Sequence, residues 1–444
     1  MTSALARRST PLSSCSSVSM IVSALVSSRN RMSPNLQSLV LFCQFFSFDG
    51  YLLGVGMECP ALVAAMGIDA THSIQFRAIH QGAHHEERSM AKHQVFLVHG
   101  MGNYEKGWST GIKQLLLEKF AQYPQLAGAH WSANFEFKEI VFSDEFEAWR
   151  QQWKDDAAKA AEALTALDLD SGAATNLVKL AQAPTGNSFW QTHVLDVVMY
   201  RYLRPLNEAI RRSIQAQLMG HIDSFPANNR PQYSVIAYSL GSSVMYETFH
   251  AMLTGPGGLP SGYRPINFFA VSNVIKPLWN RGGTCYPPDM GPNLGDDEGL
   301  CFRFCNFSHE LDPICNLDPF NPPAPGWFGA TAPQKAVYLN VTIPTEDVQD
   351  WNVHALEHYL GHPDVHVPIL RTLTRFDELI SKKEHQGALV EWRKNTLSAA
   401  ARKKVEEQLK KMRGKATTGF SAEIETLLSF RTAVLKAGKK DGES

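Results

Sequence analysis

The sequence predicts an α/β fold with a mostly parallel sheet flanked by helices. Short apolar runs, typical of buried parallel strands, alternate along the chain with segments whose apolar residues recur every three or four positions, as in helices. Strands that alternate with helices favour parallel pairing through right-handed crossovers. The strand runs lie near residues 94–98, 135–142, 233–237, 266–271, 301–307 and 336–341.

The composition restricts the class of protein. The chain has 444 residues, of which 44% are hydrophobic and 19% charged, and this is enough for one large domain with extensions. A formal net charge of -1 gives no positive field to attract nucleic acid. The seven cysteines lack the spacing of a disulfide scaffold, and Cys301, Cys305 and Cys315 lack the paired spacing of a zinc site. We therefore expect no nucleic-acid partner and no metal.

The first part of the chain, residues 1–89, differs in composition from the rest. It has no acidic residue before Asp49 and is rich in Ser and Arg near its start, as transit peptides are. Its apolar run at 20–26 is short, and the run at 39–57 is too interrupted to span a membrane. Met90, followed at once by the first strand, has the pattern of a protein start. We expect a poorly ordered extension and a cytoplasmic protein, with a targeting segment left open.

The remaining chain divides into a core and an extension. Residues 90–376 contain all the predicted strands, and a helical insertion at about 144–215 is expected to form a cap over the site or to pack on the sheet. Residues 377–444 are charged and helical. Their broken apolar stripe predicts helices that pack back on the core, with contact to a membrane surface as the alternative.

The stretch from Tyr233 to Tyr246 predicts a catalytic serine. An apolar strand run ends at Ala237, a helical pattern begins near Val244, and Ser239 lies between them. Ala237 lies two residues before the serine and Gly241 two residues after it, which is the small-residue spacing of a nucleophile elbow. Such a turn is strained, so bulky side chains two residues away would crowd it.

Two turns predict an oxyanion hole: one starts the helix after Ser239, and the other is the glycine-rich turn after the first strand. The N–H of Leu240 opens a helix, where developing negative charge is favoured. The first strand ends in His99-Gly100-Met101-Gly102, and glycines there allow backbone N–H groups to approach an anion closely. We expect the Met101 N–H to be the second donor and His99, Gly100 and Gly102 to support it.

The acid and the base follow later strands. A serine hydroxyl needs a base to take its proton, and the base needs a carboxylate to fix its tautomer. Asp312 comes just past a strand and precedes a proline, so we predict it as the acid over Glu310 and Asp318. For the base we predict His358, with His354 second.

Four histidines spaced by four, at 354, 358, 362 and 366, also invite a metal interpretation. Gly361 and Pro363 interrupt any helix through all four, so at most one pair could share a face. We expect no metal here, and we expect His362, before a proline at a helix entry, to be structural.

Four motifs in this chain resemble the lipase-like serine esterases of the α/β-hydrolase superfamily. They are Val98-His-Gly-Met-Gly102, Ala237-Tyr-Ser-Leu-Gly-Ser242, Asn306-Phe-Ser-His-Glu-Leu-Asp-Pro313 and Glu357-His-Tyr-Leu-Gly-His-Pro-Asp-Val365. The third is similar to the acid motif of intracellular phospholipase A1-like hydrolases. The fourth is similar to an esterase ending whose histidine is catalytic, which favours His358. Tyr238 departs from the family, where histidine usually precedes the serine.

The resemblance covers roughly residues 90–373 and implies an α/β-hydrolase fold with a Ser-His-Asp triad and no metal or organic cofactor. We expect a serine hydrolase that cleaves carboxylic esters, with lipid acyl esters among the candidates. An acyltransferase with the same residues, or a binding protein of the same fold without catalysis, is the alternative. The substrate is a small-molecule or lipid ester; acyl length, head group and oligomeric state stay open.

Overall fold

Six strands form one entirely parallel sheet at the centre of the computed structural model. The strands are β1 His93–Val98, β2 Phe135–Ile140, β3 Tyr233–Tyr238, β4 Asn267–Val271, β5 Arg303–His309 and β6 Tyr338–Ile343. Each overlaps a predicted apolar run, but β5 and β6 both begin two residues later than expected. Before β5, Cys301 forms only an isolated bridge with Pro292. The chain therefore has an α/β fold.

The structure describes residues 92–127, 131–152, 155, 196–197, 199–201, 203–255, 258–260, 263–279, 282–293, 299–316, 318–323, 327, 337–350, 352–374 and 379–413. The predicted N-terminal extension, 1–89, and the last predicted helix, beyond residue 413, lie outside the described residues, as does most of the predicted cap.

The order of strands in the sheet creates a switch point. The order is β2-β1-β3-β4-β5-β6. β2 is added on one side of β1, and β3 to β6 are then added in sequence on the other side. In open α/β sheets ligands bind in the crevice that such a reversal leaves at the carboxyl ends of the strands. The turns after β1 and β3, which carry His99 and Ser239, lie at this crevice.

Helices accompany the sheet on both faces. Those with both bounds described are α1 Thr110–Gln122, α2 Pro124–Ala127, α3 Trp131–Asn134, α4 Arg204–Asp223, α5 Leu240–Thr254, α6 Ile275–Leu278, α7 Leu356–Gly361, α8 Pro363–Thr374, α9 Lys382–Arg393 and α10 Ala399–Arg413. Residues 143–152 are also helical. Among the described residues, no helix is both long enough and apolar enough to cross a lipid bilayer.

Both faces of the central strands β1, β3 and β4 are buried, and this explains their long apolar runs. The edge strands β2 and β6 are only partly buried. Successive residues of a strand point to opposite faces, so Val235 joins one core and Ile236 the other. Helices α4 and α5 pack on the first face, and α1, α7 and α8 pack on the second.

Helix α4 limits the predicted cap. Its apolar stripe, which includes Leu206, Ile210 and Ile214, is fully buried in the core on the sheet. Residues 204–215 therefore pack on the sheet, and this part of the predicted cap segment does not lie over the site. Regular spacing of apolar residues fits either arrangement, because both need one buried face.

Candidate active site

Ser239 occupies the turn between β3 and α5. Tyr238 is the last residue of the strand and Leu240 the first of the helix, so a single residue makes the change of direction. The backbone of Ser239 has φ 52° and ψ -124°, a conformation that residues with a Cβ rarely adopt. The predicted strained elbow is therefore present, and its side chain is completely buried.

Gly241 explains the need for a small residue after the serine. A Cβ added at this position would lie 2.1 Å from the carbonyl oxygen of His99, well inside van der Waals contact. The crowding therefore comes from the turn after β1, which packs directly against the first turn of α5. Because Gly241 has no side chain, the two turns of the switch point can come into contact.

His354 connects the serine to the carboxylate. Its Nε2 lies 2.9 Å from the Ser239 Oγ, and its Nδ1 lies 2.9 Å from the Asp312 Oδ2. All three side chains are buried. Asp312 therefore stands where the sequence places the acid, three residues beyond β5, and the second-choice histidine fills the position between acid and serine.

His358 does not occupy the position predicted for it. It lies inside α7, where its ring packs against His309 and Trp392, with ring centroids 5.4 and 5.6 Å away. Its Nε2 accepts a hydrogen bond from the N–H of Gln349 at 3.4 Å. Burial and the neighbouring His362 together lower the pKa of His358 to about 4. His354 reaches the serine because it precedes α7 on the connection from β6.

Two residues that the sequence analysis missed hold the carboxylate. Ser272 Oγ donates to Asp312 Oδ2 at 2.6 Å and lies 3.0 Å from the Nδ1 of His354, while Tyr359 OH donates to the same Oδ2 at 2.8 Å. The N–H of Ile314 donates to Oδ1 at 3.0 Å. Ser272 directly follows β4 and has φ 49°, so a second strained serine stands beside the first on the neighbouring strand.

The protonation state of Asp312 follows from these contacts. Burial by itself would raise the pKa of its carboxyl group, but the charge of His354 and hydrogen bonds from His354, Ser272 and Tyr359 lower it to about 2. The group is therefore a carboxylate at neutral pH. Because Oδ2 accepts from Nδ1, the proton of a neutral His354 sits on Nδ1, and Nε2 is free to accept the Ser239 proton.

The rival carboxylates are engaged elsewhere. Glu310 accepts hydrogen bonds from the N–H and the hydroxyl of Thr345 at 2.9 and 2.8 Å. Asp318 forms an ion pair with Lys276. Neither contacts His354 among the described residues.

The turn after β1 lies against the serine. A Cβ added to Gly100 would lie 3.0 Å from the Cβ of Ser239 and 2.8 Å from the ring of Tyr238, so only glycine fits here without displacement. His99 stacks on Phe142, with ring centroids 4.0 Å apart. Burial lowers the pKa of His99 to about 4, so its ring is neutral at neutral pH.

His99 sets the orientation of the following peptide. Its Nε2 accepts from the N–H of Phe142 at 3.1 Å, which leaves the proton on Nδ1, and Nδ1 donates to the carbonyl of Gly100 at 2.8 Å. In a trans peptide the carbonyl and the next N–H point in opposite directions. The bond to Gly100 therefore directs the N–H of Met101 away from the histidine.

A buried ion pair fixes the next peptide. Asp196 Oδ2 accepts from the N–H of Gly102 at 3.1 Å, and its Oδ1 accepts from Arg150 Nη1 at 2.9 Å. Burial raises the pKa of Asp196 to about 7, against the opposing charge of Arg150 and the bond from Gly102. Both oxygens of this buried carboxylate therefore have protein donors.

Two N–H groups remain at the serine. Among the described residues, neither Met101 nor Leu240 donates its backbone N–H to a protein acceptor. These are the two donors predicted for the oxyanion hole. The first belongs to the peptide beside Gly100, and the second is the first N–H of α5, where the helix dipole favours negative charge.

Tyr238 ties the elbow to the histidine. Its hydroxyl donates to the backbone carbonyl of His354, and its ring lies against Gly100. Tyr238 therefore contacts both the turn after β1 and the segment that carries His354.

The possible metal ligands among the described residues lie apart or are already paired. Cys301 and Cys305 lie in different cores, on opposite faces of the sheet. Asp347, His362 and Asp364 bring potential ligand atoms together, but Arg393 Nε and Nη2 already bind the Asp347 carboxylate at 2.6 and 2.9 Å. A metal would have to displace this guanidinium.

The C-terminal extension packs on the connection that carries His354. Trp392 Nε1 donates to the carbonyl of Asp347 at 2.7 Å, and Gln349 Nε2 donates to the carbonyl of Trp392 at 2.7 Å. The N–H of Leu397 donates to the carbonyl of Val348 at 2.8 Å. The described part of the extension therefore follows the first of the two predicted arrangements.

Comparison of the chain with protein-family models, with curated proteins and with solved structures finds no match.

The strained backbone of Ser239 can be tested through stability. We expect the Ser239→Gly protein to have a free energy of unfolding about 1–2 kcal/mol higher than that of Ser239→Ala, because glycine relieves the strain and alanine does not. Denaturant unfolding of both variants measures the difference.

Ser243 provides the matched control, since it lies within α5. There the order should reverse, with glycine less stable than alanine by about 0.5–1 kcal/mol. If alanine were also the more stable residue at position 239, the backbone there would not be strained.

Proposed function

We propose that this chain is a serine hydrolase of the α/β-hydrolase fold that cleaves carboxylic esters through an acyl-enzyme. One observation carries the proposal: the continuous hydrogen-bond chain from Ser239 through His354 to Asp312, with 2.9 Å at each step. The order of the strands supports the proposal, because Ser239 lies at the switch point of the sheet, where ligands of such folds bind.

The first half of the reaction forms the acyl-enzyme. His354 Nε2 takes the Ser239 proton as the Oγ attacks the ester carbonyl carbon, and Asp312 stabilises the imidazolium that results. The tetrahedral intermediate carries its negative charge on the former carbonyl oxygen. The N–H groups of Met101 and Leu240 are placed to hold that oxygen; loss of one such donor typically lowers kcat about 10²–10³-fold. The acyl-enzyme forms when the imidazolium at His354 gives its proton to the leaving alkoxide, which departs as the alcohol.

The second half of the reaction releases the acid. The neutral ring then takes a proton from water as the water oxygen attacks the acyl carbon, and the proton passes to Ser239 Oγ when the carboxylic acid leaves. Ser272 and Tyr359 act as positioning residues, since they touch the carboxylate and not the serine.

The nucleophile is tested by labelling with a fluorophosphonate, which phosphonylates activated serines. We expect the wild-type protein to be labelled and Ser239→Ala to remain unlabelled. Ser243→Ala, a buried serine four residues further on, should label at the wild-type rate. Failure of the wild type to label would refute the hydrolase proposal, and equal labelling of Ser239→Ala would refute the assignment of the serine.

The base is tested by comparing two histidines of the same segment. We expect His354→Gln to lower kcat/KM for a p-nitrophenyl ester by at least about 10³-fold, because the serine loses its proton acceptor. His358→Gln should stay within about threefold of wild type, since it contacts no group of the triad.

Circular dichroism and thermal unfolding of both variants check that each is folded at the assay temperature. A larger loss of rate in His358→Gln than in His354→Gln would contradict the geometry.

A further inference from the structure

A cleft with a volume of about 210 Å³ lies beside the proposed triad. Its described lining residues are Tyr104, Trp108, Ile112, Tyr238, Asn352, Ala355, Leu356 and Glu357. Sites that hold an entire drug-sized ligand measure about 300–1,000 Å³, so this cleft accommodates one small group of a larger molecule.

The cleft is lined by chain neighbours of the catalytic groups. Tyr238 directly precedes the nucleophile and hydrogen-bonds to the carbonyl of His354, and Ala355 directly follows that histidine. Tyr104 belongs to the turn after β1, and its ring stacks on His99 with centroids 4.5 Å apart. A group bound here would therefore belong to a molecule whose reacting carbonyl lies at the serine.

The walls of the cleft are aromatic. Tyr104 and Trp108 pack edge to face, with ring centroids 5.4 Å apart and an angle of 69° between their planes. Tyr238 contributes a third ring. The faces of such rings carry partial negative charge and attract cations within about 6 Å of the ring centre.

The charge on the lining is negative. Glu357 is the one described lining residue that is charged at neutral pH. It forms no ion pair within the described part of the chain. Burial raises the pKa of Tyr104 to about 12, and the charge of Glu357 acts on it in the same direction. The carboxylate thus faces the same space as the rings.

We propose that this cleft binds a small cationic group, an ammonium carried by the ester substrate. Aromatic rings, together with one carboxylate that has no basic partner among the described residues, favour such a group over a neutral group of the same shape. The inference rests on the proposed function, because it assigns the substrate class of the same site.

The first experiment compares two esters of equal shape. Acetylcholine and 3,3-dimethylbutyl acetate differ in one atom, a positively charged nitrogen in place of a carbon. For the wild-type protein we expect kcat/KM to be roughly threefold to thirtyfold higher for the cationic ester. Glu357→Gln should reduce this ratio several-fold.

Glu346→Gln is the matched control, because Glu346 is an exposed carboxylate on the same connection that does not line the cleft. It removes the same charge and should leave the ratio of the two esters unchanged. An equal fall of the ratio in both variants would show a general effect of net charge and would overturn the inference.

A binding experiment separates this inference from the proposed function. Calorimetry on Ser239→Ala compares choline with 3,3-dimethyl-1-butanol, and we expect choline to bind at least threefold more tightly, with the preference reduced in Ser239→Ala/Glu357→Gln. If the wild type cleaves both esters equally and the two alcohols bind equally, the hydrolase proposal stands and the cation site is refuted. If neither ester is cleaved and the fluorophosphonate does not label, the function is refuted and the binding result alone decides on the cleft.

Discussion

The site depends on one buried carboxylate oxygen. Oδ2 of Asp312 accepts from three side chains at the carboxyl edge of the sheet: Ser272 directly after β4, His354 on the connection from β6 to α7, and Tyr359 within α7. An ionised carboxylate left unpaired in such surroundings costs several kcal/mol, so the fold is stable only while these donors converge on it. Convergence fixes the rotation of the imidazole and, through it, which nitrogen faces Ser239. The electrostatic requirement of the acid therefore organises the whole arrangement.

A steric constraint acts from the other side of the serine. Gly241 brings α5 against the carbonyl of His99, and Gly100 brings the turn after β1 against Ser239. Both contacts exist because β1 and β3 are neighbours in the sheet, with Val98 paired to Ala237. His99 donates to the carbonyl of Gly100, and the N–H of Gly102 donates to Asp196. These two hydrogen bonds fix the peptides on either side of Met101 and so set the direction of its N–H. Backbone strain at the serine is held in place by these packed turns.

Sequence reasoning located the strands, the serine and the acid because each follows from a local pattern. Apolar runs define buried strands, and Asp312 stands just past such a run. The choice of His358 followed from a similarity between motifs, and the structure instead places its ring within α7 against His309 and Trp392. Once the helix begins at Leu356, it is Tyr359 that faces Asp312, and His354 lies on the preceding turn. Ser272 was detectable in principle, since it follows a predicted strand at the same edge of the sheet.

The central claim is that one hydrogen-bond chain joins Asp312, His354 and Ser239. Proton NMR of the ¹⁵N-histidine-labelled protein tests it most directly, because an imidazole N–H held by a buried carboxylate resonates far downfield of ordinary ring protons. We expect one such Nδ1–H signal that disappears in Asp312→Asn and in His354→Gln and persists in His358→Gln. A signal that survives the loss of Asp312, or that is lost with His358 alone, would contradict the account.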